Sequence, residues 1–176
     1  MAMIRVYKRD GEGKTLTALG LALRAVGHGK KVVMIQFMKG KKDTGEYLIK
    51  DRLGPEFELY QFGREEFVNL ENPEDIDIEL ARRGLEFAKE ILSKEPNILI
   101  LDEINLAVST GLLSLKDVIN FLSRLPDEMT VVMTGRHAPG ELIEMAGLVT
   151  EMKYIKHPFE RGLAGRRGLD LSLIHI

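Results

Sequence analysis

Gly11, Gly13, Lys14 and Thr15 place two glycines, an ammonium and a hydroxyl within one short stretch, a grouping suited to holding an anion. Backbone N–H groups of a tight Gly-rich turn converge on phosphate oxygens, and the N-terminus of a following helix reinforces them. Lys14 would reach terminal phosphates as a point charge, and Thr15 would ligate Mg²⁺ through its hydroxyl. The phosphate-loop (P-loop) pattern opens with a glycine ahead of these residues, and here the stretch begins with Arg9 instead. A second grouping is Asp102-Glu103, which follows the apolar run Ile98-Leu-Ile-Leu101. Carboxylates at a strand end supply the hard oxygen ligands Mg²⁺ requires. Each grouping has a plainer reading, a strand-to-helix turn for the first and a turn cap for the second. Together they point to a triphosphate with its metal.

The elements around them are in the order such chemistry needs. Residues 3 to 7 read as a buried strand, and Leu16, Leu19, Leu23 and Val26 then recur at helical spacing until Gly27 and Gly29. The run Lys31 to Phe37 is nearly continuous and apolar, as in a sheet covered on both faces. Tyr47 to Lys50 reads as a short helical piece and Glu56 to Tyr60 as a third strand. Asn72-Pro73 offers a cap and first-turn proline for a helix through Ile76, Leu80, Leu85, Ala88 and Leu92. Asn97 to Leu101 is a fourth strand, and Ser114 with Asp117 forms a capping box for the next helix. Met129 to Met133 and Leu148 to Ile155 give two last strands around a short helix near Glu141 to Met145. Alternating strands and amphipathic helices predict an α/β fold, a mostly parallel sheet with helices on both faces. Its ligands bind at the edge where the strands end.

The chain has 176 residues, 44% hydrophobic and 30% charged, which suits one soluble domain. It carries no cysteine, so disulfides and thiolate metal sites are excluded, and its net charge of −2 gives no global attraction to nucleic acid. No apolar run approaches spanning length and no export signal opens the chain, so a cytoplasmic protein without membrane partners is expected.

Six motifs together resemble one family. Gly11-x-Gly-Lys-Thr15, Leu23-Arg-Ala-Val-Gly-His-Gly-Lys30, Gln36-Phe-Met-Lys-Gly40, Leu101-Asp-Glu-Ile-Asn105, Thr134-Gly-Arg136 and Lys156-His-Pro-Phe159 occur in this order. They are similar to those of the P-loop corrinoid adenosyltransferases of cobalamin biosynthesis. The resemblance implies a three-layer P-loop NTPase-like (RecA-like) fold over residues 1–170. It also implies transfer of the 5′-deoxyadenosyl group of ATP to the Co(I) of a reduced corrinoid, with release of inorganic triphosphate. Cobalt is then the nucleophile, which agrees with the lack of an obvious catalytic Ser, Cys or His. ATP, Mg²⁺ and a corrinoid are the implied small molecules, a reductase the implied electron source, and a homodimer the implied assembly.

Carried onto this chain, the resemblance makes Arg9, Asp10, Gly11, Glu12, Gly13, Lys14 and Thr15 the ATP loop. Thr15, Asp102 and Glu103 become the Mg²⁺ ligands, and Lys14, Thr15, Glu103 and Arg136 the groups that serve the reaction. Arg136 offers a planar fork of donors to the triphosphate, or alternatively a surface ion pair. Lys39 and Lys41 attract ATP or corrinoid amides, or form a solvated basic loop. The family's apolar wedge against the corrinoid's lower ligand would fall in Gln61 to Phe67. Here Arg64 and Glu66 occupy the positions nearest the usual aromatic pair, which leaves Phe62 and Phe67 as substitutes or as core residues. His28 reads as a helix cap, and His157 has no partners at metal spacing.

The phosphate loop departs from the family, with Lys8-Arg9 for the usual Thr-Gly and Glu12 in place of a basic residue. A carboxylate roughly 6 Å from a phosphate charge is repelled by about 3 kcal/mol at an effective dielectric near 20. ATP binding is therefore expected to be weakened but retained. Glu12→Lys and Arg9→Gly should each tighten ATP in a direct binding titration, and no gain in either would remove the expectation. Residues 171–176, Leu-Ser-Leu-Ile-His-Ile, match one reading frame of a transposon end and read as an artefactual tail. Two other classes stay open at the level of residues: a P-loop ATPase or kinase, and a nucleotide- or corrinoid-binding protein without turnover.

Overall fold

The computed structural model describes residues 2–8, 13–153, 155–156 and 168. Arg9, Asp10, Gly11 and Glu12 of the phosphate loop, His157, and the 171–176 tail lie outside the described residues.

In chain order the elements are β1 (Met3–Lys8), α1 (Lys14–Val26), β2 (Val32–Phe37), α2 (Gly45–Leu53), β3 (Phe57–Phe62) and α3 (Asp75–Ile91). They continue as β4 (Ile98–Asp102), α4 (Ile104–Ser109), α5 (Leu115–Leu122), β5 (Thr130–Gly135), α6 (Gly140–Met145) and β6 (Leu148–Glu151), with a 3₁₀ turn at Leu92–Lys94. The strands form one 6-stranded sheet in the order β3-β2-β4-β5-β1-β6. Every pair in it is parallel.

The apolar run of β2 divides by alternation, since successive side chains leave a strand on opposite faces. Val33, Ile35 and Phe37 join a core with Ala81, Leu85 and Ala88 of α3, Ala107 of α4, Phe121 of α5 and Leu142 of α6. Val32 and Met34 join the opposite core with Ala18 and Ala22 of α1, alongside Tyr47 and Leu53 of α2. The expected three layers are present, with α1 and α2 on one face and α3 to α6 on the other.

Three local expectations need correction, and one element is additional. On α1 the buried side chains are Lys14, Ala18 and Ala22, whereas Leu16 and Leu23 are 55% and 59% exposed. Small side chains let this helix lie close on the sheet, so alanine is its fully buried stripe, with Leu19 and Val26 partly buried against the core and Leu16 and Leu23 pointing out. The α3 helix begins at Asp75 with Glu74 as its cap, not at Asn72. Its third helical residue, Asp77, accepts the Glu74 N–H at 3.1 Å and is gripped by Arg64, which fixes the start there. Strand β6 ends at Glu151 rather than Ile155. The α4 helix after the acidic pair was not foreseen, because Ile104 to Ser109 is too short to show a period.

Candidate active site

Parallel strands bring the ends of β1, β2, β4 and β5 to one edge of the sheet, and the charged residues gather there. Strand β5 lies between β1, which feeds the phosphate loop, and β4, which ends in Asp102. The P-loop helix and the acidic strand end are therefore bridged by a third strand, whose Thr134 stands between them.

Asp102 is fully buried, and both its carboxylate oxygens are used. Oδ1 accepts from Thr15 Oγ1 at 2.9 Å and from Thr134 Oγ1 at 2.6 Å. Oδ2 accepts from Lys39 Nζ at 2.7 Å and from Gln36 Nε2 at 3.1 Å. The sequence-predicted Thr15 and Asp102 are thus in direct contact across 87 positions of chain. Burial pushes the Asp102 carboxyl up, but the Lys39 charge and the hydrogen bonds from Lys39, Thr134 and Thr15 outweigh it, and the group titrates below its ordinary range. For Lys39 burial pushes down and the Asp102 and Glu103 charges push up, leaving the ammonium above its ordinary value. Lys39 is no solvated loop residue: its side chain is 15% exposed and is aimed at the acidic strand end.

Glu103 caps α4 in the left-handed region, at φ 65°. Such a backbone costs a non-glycine residue about 1–3 kcal/mol and is kept where the surroundings demand it. Its N–H donates to Thr134 Oγ1 at 2.9 Å, while its buried Oε2 has no hydrogen-bond partner. Burial, reinforced by the Asp102 charge, raises its carboxyl above the ordinary range against the pull of Lys39, Lys14 and Arg136. Those opposing charges place Lys14 and Arg136 within electrostatic reach of Glu103. Lys14 is buried at the first position of α1, after Gly13 at φ 100°. Gly135 is also required as glycine: at φ 128°, a Cβ would lie 2.9 Å from the Leu106 N and 3.2 Å from Glu103 Oε2.

The residues present fit Mg²⁺. A threonine hydroxyl, a carboxylate and an unpartnered buried carboxylate oxygen form an all-oxygen set, which matches the metal's preference. Among the described residues no group of three or more His, Cys, Asp or Glu gathers to hold a metal, here or elsewhere, and the set at this edge is two carboxylates and a hydroxyl.

Next to this cluster is a cavity of about 270 Å³ lined by residues that include Phe37, Met38, Phe67, Glu103, Arg136 and His137. Phe67 is 53% exposed, with Lys41 Nζ 4.9 Å from its ring centroid. Phe62 is elsewhere: it packs against Phe87 at 5.4 Å between centroids and against Gly84, in the core on the α3 side. Of the two proposed corrinoid contacts only Phe67 faces the cavity. Arg64, at a position where an aromatic was expected, is a clamp, with Nε and one terminal nitrogen each 2.9 Å from an Asp77 oxygen and a further 2.9 Å contact to Glu74.

Sequence reading missed Gln36 and Thr134 as site residues. Gln36 is fully buried, links Asp102 to Glu46 at 3.3 Å, and accepts from Gln61 Nε2 at 3.1 Å. A lone amide inside an apolar strand was the available signal, because buried polar groups need partners.

The family model described as "ATP:corrinoid adenosyltransferase BtuR/CobO/CobP" matches residues 1–171. A corrinoid adenosyltransferase of Sinorhizobium sp is 37% identical over 171 residues, covering 96% of this chain and 79% of that relative. One of Escherichia coli (strain K12) is 34% identical over 169 residues, covering 96% and 85%. The crystal structure of the flagellar accessory protein FlaH from Methanocaldococcus jannaschii matches with a TM-score of 0.59 at 12% identity, over 89% of this chain and 73% of that one. That likeness is one of fold alone. The match of 171 residues, over a sheet edge that joins a phosphate-loop threonine to a buried aspartate, establishes that the chain belongs to the ATP:corrinoid adenosyltransferase family.

Proposed function

We propose that the chain transfers the 5′-deoxyadenosyl group of ATP to the cobalt of a reduced corrinoid and releases inorganic triphosphate. The observation that carries this reading is the Thr15–Asp102 contact at 2.9 Å, which supports a triphosphate and metal site at this edge in a chain of this family. In the reaction the Co(I) electron pair attacks C5′, a Co–C bond forms, and the C5′–O bond breaks with its pair leaving on the triphosphate. Cobalt ends formally as Co(III), and no side chain has to act as nucleophile. The protein's task is to align the two substrates and to stabilise a highly charged leaving group.

Lys14, Thr15 and Arg136 serve the triphosphate, with Arg9 to Gly13 as the rest of its loop. Thr15, Asp102 and Glu103 would hold Mg²⁺. When bound, the metal would offset charge on the departing phosphates. Thr134 and Gln36 orient Asp102 by hydrogen bonds and are positioning residues. The cavity beside Phe67 is the proposed place for the corrinoid, with the exposed ring against it. The same reading carries the family-level expectations of a cytoplasmic homodimer supplied with electrons by a reductase. Among the described residues no helix is long and apolar enough to cross a membrane.

Incubation with ATP, Mg²⁺ and a chemically reduced corrinoid should give a light-sensitive Co–C chromophore and inorganic triphosphate in equal amounts. Formation of ADP and phosphate would instead select an ATPase or kinase of this fold. Binding of both substrates without product would select a protein that has lost turnover.

A further inference from the structure

We propose that Lys39 is a resident counter-ion of the acidic site, holding the place of a divalent cation until that cation enters and displaces it. The geometry is that of a substitute. The Lys39 ammonium lies 2.7 Å from Asp102 Oδ2 and 3.5 Å from Thr15 Oγ1, so it contacts two of the groups assigned to the metal. Its charge also acts on Glu103, the third. Asp102 has no exposed surface and Lys39 only 15% on its side chain, so solvent cannot neutralise the carboxylate in the ammonium's place. A buried carboxylate without an opposite charge is costly, and the site must be filled by some cation for the sheet edge to be stable.

Lys39 is also placed to leave. It follows Met38, a residue at φ 58°, in the segment after β2 and is not locked within an element. The other three donors to Asp102 come from α1, β2 and β5, which hold the carboxylate in position whichever cation is present. A doubly charged ion between Thr15 and Asp102 repels the ammonium at close range, and a long flexible stem can carry it outward. Metal binding to the nucleotide-free chain is then a competition, and its apparent affinity is lowered by the fraction of molecules in which Lys39 occupies the site.

This inference rests on the Mg²⁺ reading of the same residues, and direct metal binding separates the two. The probe is Mn²⁺, titrated into nucleotide-free protein and followed by loss of the free-ion EPR signal. Lys39→Gln should bind Mn²⁺ about tenfold more tightly than the natural chain, and Lys39→Arg, which keeps a cation, should stay within about threefold of it. Equal or weaker binding in Lys39→Gln overturns the displacement. If Lys39→Gln is unfolded in metal-free buffer, Mg²⁺ should restore its circular dichroism. A chain that stays unfolded at saturating Mg²⁺ overturns the proposal equally, since metal would not be replacing the ammonium. Adding Asp102→Asn to Lys39→Gln should abolish the gain. If the gain survives, the metal binds elsewhere and the metal-site reading itself fails.

Discussion

Asp102→Ala is expected to abolish adenosyl transfer and to lower stability by about 3–5 kcal/mol, the range for breaking a buried ion pair by removing one partner. The substitution leaves Lys39 facing a cavity and takes the acceptor from the hydroxyls of Thr15 and Thr134 and from the amide of Gln36. Turnover should fall by at least about 10²-fold, because the leaving triphosphate loses part of its charge stabilisation. Urea unfolding and Co–C chromophore formation measure the two effects. If the loss comes from the orphaned ammonium, adding Lys39→Met should recover part of the stability, with a coupling of about 0.5–3 kcal/mol. Strict additivity in that cycle would refute the ion-pair account.

The pH dependence follows from the directions of the two shifts. Asp102 titrates below its ordinary 3.8, so its contribution is present above that value and is lost as pH falls through the lower folded value. Lys39 titrates above its ordinary 10.5, so its contribution is complete below 10.5 and is lost as pH rises through the higher folded value. The stability gap between the natural chain and Asp102→Ala should therefore narrow in strong acid and above 10.5, and between these limits should change only where Glu103, whose carboxyl the Asp102 charge helps to raise, titrates. A steep change near neutrality that persists in a Glu103→Gln background would mean that another group supplies it.

Much of this site was legible in the residues, and what was not has a common cause. Gly13-Lys-Thr15 and Asp102-Glu103 are local patterns whose chemistry is readable without the fold. So is the covered sheet, because the unbroken apolar run of β2 leaves no face for water. Thr134 and Gln36 could not be assigned a role, since each depends on which strands neighbour β4. That order, with β5 on one side and β2 on the other, is set by non-local pairing. Lys39 was misread for the same reason: a basic Lys-Gly-Lys-Lys stretch reads as solvated until β2 is placed beside the strand that ends in Asp102. On α1 the helical period is correct, with Leu19 and Val26 packed against the core, but Leu16 and Leu23 lie off the buried face. Leucine is the stronger hydrophobe, but alanine is what fits against a close sheet.

Gly63→Ala should disrupt both halves of the site from a position that does not itself line the cavity. A Cβ at Gly63 would be 2.3 Å from the Lys39 N and 2.4 Å from the Met38 carbonyl carbon, and one at Gly40 would be 2.5 Å from the Gly63 O. All of these neighbours are backbone, so no side chain can rotate away, and the segments after β2 and β3 must separate. The first segment carries Lys39 to Asp102; the second leads through Arg64, clamped on Asp77, to Phe67 at the cavity. Overpacking of this kind costs about 1–3 kcal/mol, and the displaced Lys39 adds the weakening of its pair. Gly45→Ala is the matched control, since a Cβ there meets nothing within 4 Å. Urea midpoints and KM for ATP and corrinoid in the two variants decide the matter. The expected result is a loss of stability with a rise in both KM values for Gly63→Ala alone. A Gly63→Ala chain within about 0.5 kcal/mol of Gly45→Ala, with both KM values unchanged, would show that the two segments do not depend on their contact.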